Sequence, residues 1–321
     1  SLFGETYQSK YSNLVVQNIY SHKPGLSLVR KSVFWLYSMI KLAHLVRTLP
    51  KGHYITTTPG ASLMLCILKR SPFVWENVAF FSAHKNIDFI RFPFLLMLAK
   101  GIIVPTVDEL NRLLDQFSFC QHKIYFIPNW LSGQLSQPKS VHDFPIKFMA
   151  AGALEWRKGF DILIDSLSLI EIKYRSNFIV DIYGSGSMAE SLVAKVKKLG
   201  LENIVFFKGH VSNIDSYYQN YDCFLLSSRY EGVPLVMLQA LHNGLPVVAF
   251  DCPTGPSSYV SSGYNGILVK DINSNALALA ITDFLRIYSL NYDSLSENAH
   301  VSVSELQCHR VIKRWYAFFS D

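Results

Sequence analysis

The sequence predicts an α/β protein with two Rossmann-like domains that face a cleft. Three observations support this fold class. The chain has 321 residues, enough for two domains of ordinary size. Its composition, 50% hydrophobic and 17% charged, is that of a globular protein. From about Tyr54 onward, short apolar runs alternate with helical patterns, as βαβ units require.

The first domain is predicted to span residues 1–128. Residues 28–49 form an amphipathic helical pattern in which Trp35 is apolar and Lys41 is charged. Two interpretations of this helix stay open: an ordinary surface helix packed on its sheet, or a face that contacts a membrane through Trp and Lys side chains. Apolar runs of strand length lie near 12–17, 54–58, 78–82, 101–105 and 123–127.

A polar segment separates the two domains. Residues 129–145 contain Gly133, Pro138 and Pro145 and lack clear periodicity, which is typical of a linker. The second domain is then predicted to span residues 146–321. Because parallel sheets of this kind bind ligands beyond the carboxyl ends of their strands, the cleft is the expected site. The strands are expected near 146–151, 178–183, 204–207, 223–227, 246–249 and 267–269.

Charge is distributed unevenly along the chain, whose net charge is +6. Residues 1–147 carry 16 Lys/Arg and 7 Asp/Glu (+9), whereas residues 148–321 carry 14 and 17 (−3). The asymmetry predicts that the first half faces an anionic partner. Nucleic acid is disfavoured because the sequence has no nucleic-acid-binding module and no compact run of Lys/Arg. An anionic membrane surface fits better.

Cysteine usage and hydropathy indicate the compartment. The five cysteines are widely spaced and most lie in apolar contexts, which is typical of reduced core residues in a cytosolic protein. The longest apolar run, near 92–99, is far shorter than the roughly 20 residues that span a bilayer. No D-x-D, H-E-x-x-H or C-x2-C pattern is present, so no metal site is predicted.

One segment combines a strand, a tight loop and a helix in a way that suits an anion. A buried-strand pattern from Cys223 leads through Glu231 to an apolar helix that stops at Gly244. Pro234 is expected in the first helical turn, where no N–H is needed, and Gly244 at the C-terminal cap. The helix N-terminus would then point free backbone N–H groups at a phosphate. The Glu231 carboxylate beside it favours a sugar phosphate, whose hydroxyls it can engage.

The same segment resembles the E-x7-E region of retaining glycosyltransferases of family 4, which have the GT-B fold. This resemblance implies two Rossmann-like domains, with the last helix packing back on the first domain. The family opens with a strand and a glycine-rich loop, and nothing in residues 1–30 reads that way. Either the first strands lie outside this sequence or the domain is reduced. The resemblance covers about half of the chain and rests on the order and spacing of motifs at 152–160, 183–186, 209–210, 229–240, 244–249, 255–256 and 263–269.

The resemblance implies catalytic roles for Lys158, Glu231 and His84. Lys158 stands where the family has a lysine that contacts the donor diphosphate, so that its charge stabilises the leaving group. Glu231 is expected to approach the transferred sugar. His84 ends the strand expected near 78–82, where the family often has a histidine near the sugar hydroxyls; a structural histidine is the alternative. No protein nucleophile is expected, since same-face attack assisted by the leaving phosphate is the family's mechanism.

The resemblance also implies a set of donor-binding residues. Backbone N–H groups of 233–236 are expected to hold the diphosphate. Gln239 replaces the second glutamate of the motif, which grips the nucleotide ribose, so weaker nucleotide binding is expected. The family's arginine after the first motif glycine is Ala153 here, and Arg157 is a partial substitute. The residues expected to contact the donor are Gly184, Gly186, Arg157, Gly232, Val233, Pro234, Leu235, Val236 and Gln239.

The glycines at 184 and 186 raise a competing interpretation. With Ala189 they match G-x-G-x-x-A, a dinucleotide-binding fingerprint, directly after a predicted strand. A nicotinamide-dependent enzyme would need an acidic residue at the end of the next strand, where Lys208 follows instead. The sequence therefore disfavours a dehydrogenase.

The sequence as a whole predicts a metal-independent retaining glycosyltransferase without a cofactor. It is expected to move a hexose or N-acetylhexosamine from a nucleotide sugar, UDP-linked in preference to GDP-linked, to a glycan or lipid-linked glycan. The alternative is a non-catalytic glycosyltransferase-like protein that binds a sugar or a partner; Ala153 and Gln239 favour it, and Lys158 and Glu231 oppose it. The expected location is the cytoplasm, with peripheral contact on the inner face of the membrane as an option.

Overall fold

The chain divides into two units, one of residues Ser1–Trp75 and Asn86–Ile103 and the other of Glu76–Lys85 and Val104–Asp321. The predicted boundaries at 128 and 146 stay a prediction. The computed structural model describes residues 7–8, 15–16, 37, 40, 43–44, 53–56, 59–68, 72–75, 97–131, 145–253 and 255–320.

The first unit contains a short parallel sheet. In chain order its elements are β1 (Tyr7–Gln8), β2 (Val15–Val16), β3 (Ile55–Thr56), α1 (Pro59–Ile67), β4 (Phe73–Trp75) and β5 (Gly101–Val104). The first two strands pair with each other antiparallel, and β4 pairs in parallel with both β3 and β5. Ile102 and Ile103 of β5 are fully buried. The strands expected near 12–17, 54–58 and 101–105 are confirmed, whereas β1 and β4 were not predicted.

Several predictions for the first half fall outside the described residues. They are the strand near 78–82 with His84 and most of the linker at 129–145. Within the helix predicted at 28–49, the described residues Tyr37, Ile40 and 43–44 are helical. No helix in the described part of the chain is long and apolar enough to cross a membrane.

The second unit begins with a capped helix and a short strand, α2 (Val107–Gln116) and β6 (Ile124–Phe126). Thr106 precedes α2 with extended backbone, and its side-chain oxygen accepts the N–H of Glu109 at 3.2 Å. This bond satisfies one of the free N–H groups at the helix start. Beyond β6, the N–H of Ile127 donates to the carbonyl of Val104 at 3.1 Å. The strand expected near 123–127 is thereby confirmed.

Six described strands form the main parallel sheet of the second unit. They are β7 (Ile146–Ala151), β8 (Phe178–Tyr183), β9 (Val205–Gly209), β10 (Cys223–Leu226), β11 (Val247–Phe250) and β12 (Gly266–Val269). Their order in the sheet is β12–β11–β10–β7–β8–β9. The chain runs outward from β7 to β9, then returns to place β10 on the other side of β7. Loops beyond the carboxyl ends of β7 and β10 therefore meet at a topological switch point, the usual place for a ligand in such sheets.

Helices cover both faces of this sheet and bury two cores. They are α3 (Phe160–Leu169), α4 (Ile172–Arg175), α5 (Ala189–Lys198), α6 (Leu235–His242) and α7 (Ser274–Ser302); a further helix, α8 (Cys308–Ser320), packs Phe318 on Tyr125. Successive strand residues point to opposite faces, so Phe148 packs in one core with Phe284, and Met149 in the other with Leu238. All four side chains are at most 1% exposed. The buried cores fix the sheet, and hence the positions of the loops at its carboxyl edge.

Candidate active site

The turn after β7 presents two cations at the switch point. A short 3₁₀ turn at Trp156–Lys158 ends in Gly159, whose φ of 64° is in the left-handed region. A side chain at 159 would not fit, because its Cβ would lie 2.0 Å from the carbonyl oxygen of Ser227. Glycine thus lets the turn pack directly on the loop after β10, and this contact brings Arg157 and Lys158 to that loop.

The Glu231 carboxylate bonds both cations, Lys158 and Arg157. It lies in the loop between β10 and α6 and is 2% exposed. Its Oε1 accepts hydrogen bonds from Lys158 Nζ and from Ser228 Oγ, both at 2.6 Å, and its Oε2 accepts one from Arg157 Nη1 at 3.2 Å. The Lys158 and Arg157 side chains are 12% and 33% exposed, so neither is fully buried. The three charged groups carry a net charge of +1.

The N-terminus of α6 lies a few residues beyond Glu231. The helix begins at Leu235, and Pro234 is its N-cap residue. The sequence predicted Pro234 inside the first helical turn, so the proline lies just before the helix rather than within it. The N–H of Leu235 donates to the carbonyl of Val233 at 2.8 Å. Among the described residues, no acceptor is recorded for the N–H groups of Val233 and Val236. Of the segment 233–236, these two residues therefore have N–H groups to offer an anion.

The loop that contains Pro253, Gly255 and Ser258 packs against the Glu231 loop. The N–H of Glu231 donates to the carbonyl of Pro253 at 3.4 Å. Gly255 has a φ of 110°, and a Cβ there would lie 2.7 Å from Cδ of Pro234. The loop is held in turn by Asp108, whose Oδ2 accepts the hydroxyl of Ser258 at 2.9 Å. Glycine at 255 is needed for this close approach to the helix start.

A cavity of about 390 Å³ opens beside the helix start, at the carboxyl ends of β7, β8 and β9. Gly184 and Gly186, both predicted to bind the donor, let two loops pack closely here. A Cβ at 184 would lie 1.8 Å from the carbonyl oxygen of Gly152, and a Cβ at 186 would lie 2.5 Å from the carbonyl oxygen of Leu154. Both glycines are therefore required by packing alone. The cavity lining includes Gly152, Ala153, Tyr183, Gly184, His210 and Val236.

Gln239 lies one turn further along α6 and is half-buried. The Tyr218 hydroxyl donates to the carbonyl of Val236 at 2.9 Å and also approaches Gln239 Oε1 at 3.4 Å. Val236 lines the cavity, whereas Gln239 is not among the described lining residues. At 1.5 Å per residue, Gln239 is about 6 Å along the helix axis from Leu235.

The structure brings together residues that sequence reasoning missed. Ser228 donates to Glu231, although nothing in its sequence context distinguishes it from Ser227. Arg229 forms two hydrogen bonds with Asp161, which lies 68 residues earlier in the chain. An arginine two positions before the motif glutamate, and an aspartate just after the motif glycine, were the available signals.

Cys252 shows that no thiol nucleophile is available beside Glu231. The side chain is 2% exposed. Burial raises the pKa of the Cys252 thiol to about 12, and the negative charge of Glu231 adds to the effect. The thiol is therefore protonated near neutral pH.

Two expectations for the site, a catalytic histidine and the lack of a metal, stay predictions. His84 lies outside the described residues. Within the described ranges, no group of three or more His, Cys, Asp or Glu side chains is placed to hold a metal ion. That finding does not test whether the reaction is metal-independent.

Comparison with known proteins identifies relatives of this arrangement. Residues 135–301 match the family described as Glycosyl transferases group 1, which is half of the chain. The GtfA subunit of the UDP-N-acetylglucosamine–peptide N-acetylglucosaminyltransferase of Streptococcus parasanguinis is 28% identical over 226 residues, 67% of this chain and 44% of that protein. An uncharacterized glycosyltransferase of Haemophilus influenzae is 26% identical over 310 residues, 93% of this chain and 84% of that protein.

A third relative is the poly(ribitol-phosphate) alpha-N-acetylglucosaminyltransferase of Staphylococcus aureus, 25% identical over 228 residues, 69% of this chain and 44% of that protein. The chain thus spans less than half the length of two of these three relatives.

Solved structures show the same fold. A TarM mutant of S. aureus, in complex with fondaparinux, alpha-GlcNAc-glycerol and UDP, superposes with a TM-score of 0.74 at 21% identity, over 88% of this chain and 59% of that one. Anabaena Alr3699/HepE in complex with UDP superposes with a TM-score of 0.74 at 18% identity, over 90% of this chain and 84% of that one. These likenesses confirm the predicted GT-B fold with its Rossmann-like domains.

Proposed function

The chain belongs to the glycosyl transferases group 1, and we propose that it is a retaining glycosyltransferase. It moves a hexose or N-acetylhexosamine from a UDP-sugar to a hydroxyl of a glycan or lipid-linked glycan. The observation that carries the proposal is the Glu231 carboxylate held by Lys158 and Arg157 at the switch point of the sheet.

Charge balance supports a diphosphate as the ligand at this point. The Glu231, Lys158 and Arg157 side chains sum to +1, and the nearby start of α6 adds the partial positive charge of a helix N-terminus. Lysine and arginine each have N–H donors beyond the one that contacts Glu231. An incoming diphosphate can therefore bind both cations while the carboxylate stays engaged, so neither cation is left without an anion.

The adjacent cavity suits the nucleoside of the donor. A volume of about 390 Å³ is within the range typical of small-molecule sites. The lining is backbone and small side chains near Gly184, with His210 at one side. A uridine donor is favoured because the similar solved structures of TarM and HepE contain UDP. A guanosine donor is the alternative, and a panel of donors separates the two.

The transfer itself needs no protein nucleophile. The bond between the anomeric carbon of the sugar and the β-phosphate oxygen breaks, and the acceptor hydroxyl oxygen bonds to the same face of the anomeric carbon. The acceptor proton passes to the departing phosphate oxygen. Lys158, Arg157 and the helix start stabilise the negative charge that develops on the diphosphate, and Glu231 is positioned to accept a hydrogen bond from a sugar hydroxyl.

A donor panel tests the proposal. The protein is incubated with UDP-linked and GDP-linked hexoses and N-acetylhexosamines, with and without a glycan acceptor mixture, and nucleotide release is followed over time. We expect release from at least one UDP-sugar, undiminished by excess chelator because protein groups supply the cationic help. Release from GDP-sugars alone would correct the base. Loss on chelation with rescue by Mg²⁺ or Mn²⁺ would overturn the metal-independent mechanism.

Two observations favour a second candidate, a non-catalytic sugar-binding protein. Ala153 leaves the cavity wall without the family's arginine, and Gln239 faces the Tyr218 hydroxyl. Such a protein would bind UDP without releasing sugar from any donor. Calorimetry that detects UDP binding, together with a silent donor panel at high protein concentration, would establish this alternative over the enzyme.

We further propose a cytoplasmic location with peripheral contact to an anionic membrane. The excess of positive charge in residues 1–147 supports the membrane contact. Binding to liposomes that contain acidic lipid, with release by salt, is the expected result. Equal binding to neutral liposomes, or none to either, would contradict the membrane contact.

A further inference from the structure

Arg229 and Asp161 form a two-pronged ion pair near the site. Arg229 Nη1 and Nη2 donate to Asp161 Oδ1 and Oδ2 at 2.8 and 2.7 Å, the two-pronged geometry in which arginine binds carboxylates most strongly. The exposed fractions of the two side chains are 18% and 24%. Burial alone would raise the pKa of the Asp161 carboxyl, but the hydrogen bond and charge of Arg229 outweigh burial and hold that pKa below its usual value.

The pair encloses the turn that carries the two cations. Arg229 Nη1 also donates to the carbonyl of Trp156 at 2.5 Å, and its guanidinium lies 4.5 Å from the centre of the Trp156 ring. The backbone N–H of Arg229 donates to the carbonyl of Arg157 at 2.9 Å. Asp161 is the second residue of α3, immediately beyond the turn. Arg229 therefore bonds the turn at three points: at Trp156 before the two cations, at the Arg157 carbonyl, and at Asp161 after them.

The contacts of Arg229 and those of Glu231 connect the same two segments of the chain. Arg229 lies two residues before Glu231, so the loop that binds the turn through Arg229 is also the loop that receives Lys158 and Arg157 through Glu231. The hydroxyl of Ser227 donates to the carbonyl of Lys158 at 3.0 Å and adds a further tie. The relative position of the cations and Glu231 thus depends on contacts made at the far side of the turn.

From this arrangement we propose that Arg229 and Asp161 are positioning residues that set Lys158 and Arg157 against the donor diphosphate. The inference rests on the proposed function, because it assumes that the two cations bind a diphosphate. Neither residue needs to touch the donor. A displacement of about 1 Å at a reacting group can reduce rates a hundredfold. A pair that fixes the turn can therefore affect the rate of sugar transfer without touching the donor.

The chain offers a matched control on the same helix. Asp165 of α3 pairs with Lys195 of α5 at 2.6 Å, and the charge of Lys195 is the smallest of the effects that lower the pKa of Asp161. Asp161→Asn and Asp165→Asn are the same chemical change, one turn apart on one helix. Asp161→Asn removes the charge that holds Arg229 and keeps the shape of the side chain. Arg229→Lys is a second variant, which keeps the charge and loses the two-pronged geometry.

The test measures UDP and uridine affinities by calorimetry, with melting temperatures as a check on the fold. We expect Asp161→Asn and Arg229→Lys to weaken UDP binding by about tenfold and to leave uridine binding unchanged, because the pair acts only through the diphosphate. Asp165→Asn should change neither affinity. In a Lys158→Ala background, Asp161→Asn should weaken UDP binding by less than about threefold, since its main target is gone.

The outcomes separate this inference from the proposed function. If the wild-type protein binds neither UDP nor GDP, or Lys158→Ala binds the nucleoside diphosphate as tightly as wild type, the proposed diphosphate site fails and the inference with it. If Lys158→Ala weakens UDP binding but Asp161→Asn and Arg229→Lys do not, the inference alone is wrong. Equal weakening of UDP and uridine, or the same weakening with and without Lys158, would assign the pair to general stability.

Discussion

Glu231 and Asp181 are both buried carboxylates of the second unit, 2% and 7% exposed, but different groups dominate their surroundings. Glu231 is held by two cations, neither of them fully buried. Asp181 accepts the Tyr221 hydroxyl at 2.6 Å, the Tyr183 and Tyr221 hydroxyls are 2.7 Å apart, and Lys208 Nζ lies 3.4 Å from Asp181 Oδ2. Because the single O–H of Tyr221 donates to Asp181, Tyr183 is the donor in the bond between the two tyrosines.

This contrast shows which buried carboxylate can serve a ligand. A tyrosine has one O–H to donate, and in the Asp181 network those of Tyr221 and Tyr183 are already used. Burial, together with the hydrogen bond to Asp181, raises the pKa of Tyr221 well above its usual value, so the Tyr221 hydroxyl stays protonated. The two cations on Glu231 bond it at 2.6 and 3.2 Å and keep spare donors, whereas the single cation near Asp181, among the described residues, is Lys208 at 3.4 Å. The Glu231 cluster is therefore suited to binding and the Asp181 network to building the cavity wall at Tyr183.

The Glu231 cluster should respond most strongly to the loss of one of its cations. Lys158→Ala should lower kcat/KM by about two orders of magnitude or more, the scale of losing one preorganised charge at a developing anion. Steady-state kinetics with the donor identified by the panel measure it. Lys195→Ala, which removes a lysine from the Asp165 pair, should leave kcat/KM unchanged. Near-normal turnover of Lys158→Ala, with its fold intact, would show that the contact of Lys158 with Glu231 is structural and that its charge does not assist the transfer.

The Asp181 network should instead respond in stability. Tyr221→Phe leaves Asp181 without the Tyr221 hydrogen bond in a buried setting and should lower the free energy of unfolding by about 1–3 kcal/mol. Urea denaturation measures it, with Tyr316→Phe as the control because Tyr316 is 67% exposed. Activity per folded molecule should stay near that of wild type. A large loss of activity at unchanged stability would place the Asp181 network in the chemistry after all.

A smaller effect is expected from a new carboxylate next to the proposed donor site. Gln239→Glu should tighten binding of a ribonucleotide by about 1 kcal/mol, because a charged acceptor bonds ribose hydroxyls more strongly. The gain should shrink for the 2′,3′-dideoxy analogue in calorimetry. Tyr218 already bonds the Val236 carbonyl, so it leaves the new carboxylate available. Unchanged affinity for both nucleotides would show that residue 239 does not reach the ribose.

The smallest effect concerns pH. The pKa of Asp161 is lowered in the folded protein, so its pair with Arg229 stabilises the fold above the unfolded-state pKa of about 3.9 and is lost as pH falls through the lower folded value. The difference in unfolding free energy between wild type and Asp161→Asn should be constant from about pH 5 to 8 and shrink below about pH 4. A difference that shrinks between pH 8 and 5 would contradict the lowered pKa.

The sequence predicted the main sheet because each of its strands is a buried apolar run bounded by Gly, Pro or polar residues. It also predicted that Lys158 and Glu231 belong to the site, through the resemblance. It did not predict that they bond each other, because 73 residues separate them and only the order of strands in the sheet makes their loops neighbours.

The helix start shows a different limit. The pattern around Pro234 indicated a helix, but the turn from Val233 to Leu235 uses one of the expected N–H groups internally. Local propensity does not specify which backbone groups stay unpaired. Likewise, the sequence assigned no role to Arg229 and Asp161, because only their packing across the turn brings them together.

A crystal structure with bound UDP is the decisive experiment for the diphosphate site. We expect a diphosphate oxygen within about 3.2 Å of Lys158 Nζ and of the Val236 N–H, the usual limit for such hydrogen bonds. We also expect the uracil in the cavity beside Gly184, with Lys158 still in contact with Glu231. UDP bound at another place, or bound here with its diphosphate beyond hydrogen-bonding reach of Lys158, would contradict the proposed site.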